Sequence, residues 1–277
     1  AEAHNNLAGT LQELGQLDEA VKSYEKALAI KPNYAEAFNN LGIALKELGQ
    51  LDTAVNSYKK VLAINPDFAE AHNNLGNALN DLGQLDAAVK SYEKAITIKP
   101  DYAEAHYNLG VTLQELGQLD AAIKSFEKAL TMKPDYAEAH NSLGNVFNDL
   151  NQLDDAIKCY EKAITIKPDY ADAHHNLGIV LKELDQHDAA VKSYKKAIDI
   201  EPDHVEAHNN LGNTLRGLNQ LDAAIKCYEK ALAIKPDFAE AHNNLGVTLQ
   251  ELRQLDAALV SFERAIALKP DINFLLG

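Results

Sequence analysis

The spacing of proline constrains the fold of this chain more than any other feature. The eight prolines are residues 32, 66, 100, 134, 168, 202, 236 and 270, so each follows the previous one by 34 residues. A fixed period of this length indicates small structural units that stack and cover one another. We therefore divide residues 1–272 into eight repeats, namely 1–34, 35–68, 69–102, 103–136, 137–170, 171–204, 205–238 and 239–272, and treat 273–277 as a tail.

Each repeat predicts a pair of helices, which we call helix A and helix B. Positions within a repeat are counted from its first residue, so that Ala69 is position 1 of the third repeat. Positions 3, 7, 11 and 14 are apolar at helical spacing and predict helix A. Glycine at position 15 of four repeats, such as Gly83, can take the left-handed conformation that ends a helix. Helix B follows.

The ends of the predicted helices carry polar residues that are typical of caps. Aspartate at position 18, such as Asp86, is predicted to be the N-cap of helix B. Asp67 and Glu70 resemble a capping box for the next helix A. Position 15 is Asn151, Asp185, Asn219 and Arg253 in the last four repeats, and arginine is the least suited of these to a left-handed end.

Small and aromatic residues recur at fixed positions between the two helices. The third repeat shows the pattern with Leu75 at position 7, Gly76 at position 8, Ala88 at position 20, Tyr92 at position 24 and Pro100 at position 32. These residues resemble the tetratricopeptide repeat. The resemblance implies an all-α fold, a right-handed α-α superhelix (solenoid) of eight helix-turn-helix repeats. It also implies that helices A line a concave groove.

The charge of the chain limits the partners that it can have. Asp and Glu number 41 and Lys and Arg number 26, so the net charge is −15. An acidic chain is poorly suited to nucleic acids or anionic membranes. No apolar run approaches the roughly 20 residues that span a bilayer. We expect an intracellular, cytoplasmic protein whose partners are other proteins or peptides. Cys159 and Cys227 occupy the same position in two different repeats, and we expect both to be reduced thiols, as is usual in the cytoplasm.

Histidine is the one residue type that suggests metal chemistry. Seven of the ten histidines occupy position 4: His4, His72, His106, His140, His174, His208 and His242. Equivalent positions in stacked repeats lie too far apart, roughly 10 Å, to share one ion. We interpret them as packing residues. No phosphate loop or nucleophile motif is present, so we expect no metal, no cofactor and no catalytic residue.

The remaining face of helix A, positions 2, 6, 9 and 13, is predicted to face the groove, and we call it the helix-A surface. Position 6 is Asn6, Asn40, Asn74, Asn108, Asn176, Asn210 and Asn244, and position 9 is Asn77, Asn145 and Asn213 in alternate repeats. A carboxamide can pair with the backbone of an extended peptide. Acidic groups at position 2, among them Glu70, Glu104 and Glu206, would favour basic side chains on that peptide.

Both features also have simpler interpretations. The asparagines are explained equally by a need for surface polarity or by recent duplication of one repeat, and the acids by the dipole of helix A. The asparagines that recur at position 6 resemble the row of asparagines in the repeat domain of O-GlcNAc transferases. Lys and Arg, which grip a terminal carboxylate in other members of the family, are absent from positions 2, 5, 6 and 9.

Three functions remain compatible with these residues. The first is a non-catalytic scaffold that binds an extended, basic segment of a partner protein. The second is a self-assembling scaffold that stacks end to end through terminal repeats without polar caps. The third is the substrate-recruiting arm of a larger enzyme such as a glycosyltransferase.

Overall fold

The chain folds into helices alone in the part that is described. A computed structural model describes residues 1–269, in which there are sixteen helices and no strand; the tail, 273–277, lies outside these residues. The helices are α1 Glu2–Glu13, α2 Leu17–Ile30, α3 Ala35–Glu47, α4 Leu51–Ile64, α5 Ala69–Asp81, α6 Leu85–Ile98, α7 Ala103–Glu115, α8 Leu119–Met132, α9 Ala137–Asp149, α10 Leu153–Ile166, α11 Ala171–Glu183, α12 His187–Ile200, α13 Val205–Gly217, α14 Leu221–Ile234, α15 Ala239–Glu251 and α16 Leu255–Leu268. Each predicted repeat contains one pair, with helix A odd-numbered and helix B even-numbered.

The helices form two compact units, unit 1 (Ala1–Val146) and unit 2, which begins at Phe147. Within unit 1, helices A of successive repeats contact one another, as α1 does α3, α3 does α5 and α5 does α7. Successive helices B of residues 1–146 make no such contact. In unit 2 the same contacts join α11 to α13 and α13 to α15. The predicted all-α solenoid of helical repeats is confirmed, whereas the single array over 1–272 stays a prediction.

The core of each repeat is a tyrosine or phenylalanine ring packed against a residue without a large side chain. Tyr92 is 1% exposed, and a Cβ atom built on Gly76 would lie 2.5 Å from its ring atom Cε1. Ala88 is fully buried beside them. Helices A and B therefore approach closely because positions 8 and 20 are small, as the sequence predicts.

The ends of the helices follow the sequence at the C-terminus and differ from it at the N-terminus. Gly83 and Arg253 both have left-handed backbone, with φ of +71° and +61°. Helix B begins two residues earlier than predicted, so Gln84 is the N-cap of α6 and Asp86 lies in its first turn. Neither α6 nor α5 has a side-chain cap. The predicted aspartate N-cap and the Asp67 capping box are therefore wrong, and Asp86 acts through the helix dipole instead.

No helix within residues 1–269 combines the length and the apolar character that crossing a membrane requires.

Candidate functional site

The asparagines at position 6 form hydrogen bonds between successive helices A. Those of five repeats donate their side-chain Nδ2 to the residue at position 5 of the preceding repeat. Asn40 donates to Asn5 Oδ1 (3.4 Å), Asn74 to Asn39 (3.2 Å) and Asn108 to Asn73 (3.0 Å) in unit 1. In unit 2, Asn244 donates to Asn209 (3.1 Å) and Asn210 to the Nε2 atom of His175 (3.0 Å). A line of side-chain amides thus joins the repeats of each unit.

The two members of each pair in unit 1 differ in burial. Asn39 and Asn73 at position 5 are 3% and 5% exposed, so their oxygens depend on the protein for a partner. Asn40, Asn74 and Asn108 at position 6 are half-buried. A carboxamide has two donor hydrogens and an acceptor oxygen, and the inter-repeat bond uses one donor. In Asn40, Asn74 and Asn108 this bond leaves one donor hydrogen and the oxygen of the amide unused.

These bonds give the position-6 asparagines a structural role beyond surface polarity and repeat duplication. Asparagine at position 6 serves the packing of the repeats, because it satisfies a buried acceptor in the neighbouring repeat. The role of these residues in binding a peptide stays a prediction. The sequence contained a signal for the missed position-5 partner. Where position 5 is Tyr107, position 6 of the next repeat is Ser142, so asparagine is replaced at both positions of the pair.

Asparagine at position 9 accepts a hydrogen bond from the buried tyrosine of its own repeat. Tyr92 donates its hydroxyl to Asn77 Oδ1, and Tyr228 donates to Asn213 Oδ1, both at 2.8 Å. Burial raises the pKa of Tyr228 to about 12, so this hydroxyl remains a donor at neutral pH. These asparagines therefore support the core as well as lining the helix-A surface.

The residue at position 9 changes with the ring that it faces. Val111 stands in the repeat of Phe126, where no hydroxyl needs a partner. Ile43 and Ile179 stand in the repeats of two other tyrosines, Tyr58 and Tyr194. The hydroxyls of these tyrosines are buried and have no hydrogen-bond partner within residues 1–269. Two tyrosine hydroxyls are thus left without the acceptor that asparagine supplies elsewhere.

The remaining predicted asparagines occupy varied surroundings. Asn6 has no preceding repeat within the chain and is exposed; its backbone carbonyl accepts from Thr10 (3.1 Å). Asn145 and Asn176 are also engaged by other groups of the protein. Asn145 and Asn176 therefore have partners within the protein.

The acidic residues of the helix-A surface divide into two groups. Glu70 and Glu104 at position 2 are exposed. Glu206, also exposed, lies with Oε2 3.7 Å from the ring of His204. At position 13, Asp81 forms an ion pair with Lys46 of the preceding repeat at 2.9 Å. Glu70 and Glu104 therefore present carboxylates to solvent, while Asp81, like Glu240 at position 2, which accepts from Asn209 at 3.0 Å, links successive repeats.

The histidines at position 4 bind the backbone of the turn that precedes them. Nε2 of His72 lies 2.9 Å from the carbonyl oxygen of Pro66, and the equivalent distance from His208 to Pro202 is 3.0 Å. His106, His140, His174 and His242 make the same contact at 3.1–3.2 Å. Because a carbonyl only accepts, Nε2 carries the proton. These histidines fix the turn between repeats.

A second pair of histidines joins α11 to the start of α13 in unit 2. The rings of His175 and His204 are 4.7 Å apart. Burial, and then the charge of His204, lower the pKa of His175 to about 4, which leaves its Nε2 free to accept from Asn210 at neutral pH. No group of metal-ligating side chains occurs in residues 1–269. Burial also raises the pKa of the Cys159 and Cys227 thiols to about 11, so both stay protonated at neutral pH.

Known proteins share this architecture. The structure of MamA is 33% identical, with a TM-score of 0.55, over 58% of this chain and 95% of that one. The structure of YrrB, described as a TPR protein with an unusual peptide-binding site, is 26% identical, with a TM-score of 0.55, over 68% of this chain and 96% of that one. PilF of Pseudomonas aeruginosa, at 19% identity over 74% of this chain and 93% of that one, shares the fold with a TM-score of 0.67. No curated protein matches the chain.

Family models cover most of the sequence. The model described as TPR repeat matches residues 10–49, 44–80, 76–117, 144–185, 180–218 and 212–252. The model described as tetratricopeptide repeat matches residues 103–136 and 239–272. These matches follow the helix pairs of the structure, and the chain belongs to the tetratricopeptide repeat family.

Proposed function

We propose that the protein is a scaffold whose helix-A surface binds an extended segment of a partner protein. The position-6 amides are the observation that carries this proposal. They recur in seven of the eight repeats, on helices of which several contact one another, and the inter-repeat bonds of Asn74 and Asn108 use only one donor hydrogen of each amide. Such groups suit the backbone of an extended chain, which offers donors and acceptors regardless of sequence.

Charge gives the proposed partner a second property. Glu70 and Glu104 project from successive helices A of unit 1 and are exposed. Carboxylates in a row attract basic side chains, so the bound segment carries Lys or Arg. The description of YrrB as a peptide-binding repeat protein supports the same class of function.

A peptide selected from a random library for binding to the intact chain tests the proposal. Glu70→Gln together with Glu104→Gln removes two charges without altering a hydrogen bond that the structure shows. If each exposed charge interaction contributes about 0.5 kcal/mol, the dissociation constant rises by about fivefold at low salt. The difference shrinks as salt is added, because exposed charges are screened.

Lys90→Ala together with Lys94→Ala is the matched control. Both lysines are exposed on helix B of the third repeat, between the helices that carry the two glutamates. The proposal expects binding to be unchanged. Lost binding in this control, with normal binding in the glutamine variant, would assign the partner to helices B.

Self-association is a second candidate, and the exposed apolar side chains of the first repeat favour it. Leu7 and Leu14 are 50% and 68% exposed, whereas Leu41 and Leu75, the equivalents of Leu7, are 7% and 8% exposed. Apolar faces of this kind promote association. Light scattering of the 277-residue chain should show species larger than a monomer at high concentration, and Leu7→Gln with Leu14→Gln should reduce them. A monomer at every concentration would exclude this candidate.

A further inference from the structure

The tyrosine hydroxyl of the sixth repeat lies in an unusual position. Tyr194 is fully buried and its hydroxyl has no hydrogen-bond partner within residues 1–269. Burial raises the pKa of Tyr194 well above its ordinary value, so the hydroxyl keeps its proton and has a donor that lacks an acceptor. A buried polar group without a partner is uncommon in folded proteins and points to a ligand or a structural role.

A cavity of about 180 Å³ lies at this tyrosine, on the helix-A surface of unit 2. Its walls are Ile179, Lys182, Glu183, Tyr194 and Asn210, which come from α11, α12 and α13. The volume accommodates a group of a few heavy atoms. The walls combine a hydroxyl donor, an ammonium donor and a carboxylate acceptor.

The chain itself shows which chemical group satisfies a tyrosine at this position. In the third and seventh repeats, the carboxamide oxygens of Asn77 and Asn213 accept from Tyr92 and Tyr228 at 2.8 Å. The sixth repeat has Ile179 in place of that asparagine. A carboxamide is therefore the group that the geometry accommodates, and here the protein does not supply it.

The charges around the cavity favour a neutral occupant. Lys46 of unit 1, the equivalent of Lys182, is held by Asp81, but Gly217 stands at the position equivalent to Asp81 in unit 2. Lys182 is thus not held by that ion pair and lies beside Glu183 at the cavity. An amide can accept from Lys182 and Tyr194 through its oxygen and donate to Glu183 through its nitrogen. A carboxylate would offer no donor to Glu183 and would be repelled by it.

We propose that this cavity, the Tyr194 pocket, binds the carboxamide of a glutamine or asparagine side chain in the bound segment. The proposal rests on the proposed function, since it names one side chain of the segment that the helix-A surface receives. The amide oxygen accepts from Tyr194 Oη, and Ile179, which is half-buried and forms a wall of the cavity, changes rotamer to admit it. The remaining amide groups contact Lys182 and Glu183.

The test uses single-residue probes, N-acetylglutamine methylamide and N-acetylglutamate methylamide, titrated into the intact chain and followed by the NMR signals of labelled tyrosine rings. The glutamine probe is expected to shift the Tyr194 ring and to bind at least about fivefold more tightly than the glutamate probe, the difference that one net hydrogen bond supplies. Tighter binding of the glutamate probe, or no shift of Tyr194 at any probe concentration, would overturn the proposal.

Three variants separate the hydroxyl from the fold. Tyr194→Phe removes only the hydroxyl and keeps a ring that Phe126 shows to be tolerated at this position. Ile179→Asn supplies the internal acceptor that Asn77 provides, which occupies the hydroxyl and raises the midpoint of thermal unfolding. Both variants are expected to weaken the glutamine probe about fivefold or more. Tyr228→Phe, whose hydroxyl already has Asn213, is expected to bind the probe as the wild type does.

The outcomes distinguish this pocket from the general function. If Tyr194→Phe and Ile179→Asn leave binding of the glutamine probe unchanged, the pocket is refuted, whatever the library-selected peptides do. If the probe binds as described but the Glu70 and Glu104 variants leave peptide binding unchanged, the proposed acidic surface fails while the pocket stands.

Discussion

Replacing Asn108 by alanine should destabilise the third and fourth repeats. Asn108 donates to Asn73 Oδ1 at 3.0 Å, and Asn73 is 5% exposed. The variant removes the donor and leaves a buried oxygen without its partner, which costs about 1–3 kcal/mol. Alanine returns about 0.5 kcal/mol as the better helix former. The unfolding free energy of this region should therefore fall by about 0.5–2.5 kcal/mol.

Hydrogen exchange measures this loss at the level of single repeats. The amides of α5 and α7 should lose the most protection, since stacked repeats contact only their neighbours. Asn73→Ala and the double variant complete a double-mutant cycle. We expect the double variant to be less damaged than the sum of the single changes by about 1 kcal/mol, because removal of both partners leaves no orphaned group.

Two results would refute this reasoning. A coupling energy of zero between Asn73 and Asn108 would show that the hydrogen bond contributes nothing to stability. A uniform loss of protection over residues 1–146 would show that the repeats of unit 1 do not unfold locally.

Three further changes follow from the structure. Gly76→Ala places a Cβ atom 2.5 Å from Tyr92 Cε1 and should lower the unfolding free energy by about 1–3 kcal/mol, measured by denaturant titration. Arg253→Gly relieves the strain of a left-handed backbone at φ +61° and should raise the unfolding free energy by about 1 kcal/mol, measured in the same way. Stability should also fall as the pH decreases from 6.5 towards 4, by about 2 kcal/mol. The unfolded chain protonates His175 near its ordinary pKa of 6.5, whereas the folded chain does so only near 4. His175→Asn, which restores the usual residue of position 5, should make the unfolding free energy depend less on pH. If the variant depends on pH as strongly as the wild type, groups other than His175 cause the dependence.

The sequence predicted the repeat and its helix pair because both depend on residues close together in the chain. The period of proline, the small residue at position 8 and the aromatic residue at position 24 act within one repeat, as Gly76 and Tyr92 do. The predicted aspartate cap was wrong because the N-cap of helix B is Gln84, two residues before Asp86, and this shift moves the carboxylate out of capping reach.

The candidate site was less accessible to sequence reasoning because its contacts join different repeats. The helical pattern places Asn74 on the polar face of its own helix, but its hydrogen-bond partner Asn39 lies one repeat earlier on a neighbouring helix. Paired departures in the sequence carried this information. Tyr107 departs together with Ser142, and Val111 occurs with Phe126 where Asn77 occurs with Tyr92. Such pairs can be read only when residues of neighbouring helices are compared.

The side-chain amide signals of Asn74 and Asn108 test the central claim most directly. A library-selected peptide added to the intact chain should shift these NMR signals, because in the proposed binding mode the peptide backbone bonds to the second donor hydrogen and the oxygen of these two amides. The ammonium signals of Lys90 and Lys94 on α6 should stay in place. Shifts confined to Lys90 and Lys94, with both asparagine amides unmoved at saturation, would contradict binding on the helix-A surface.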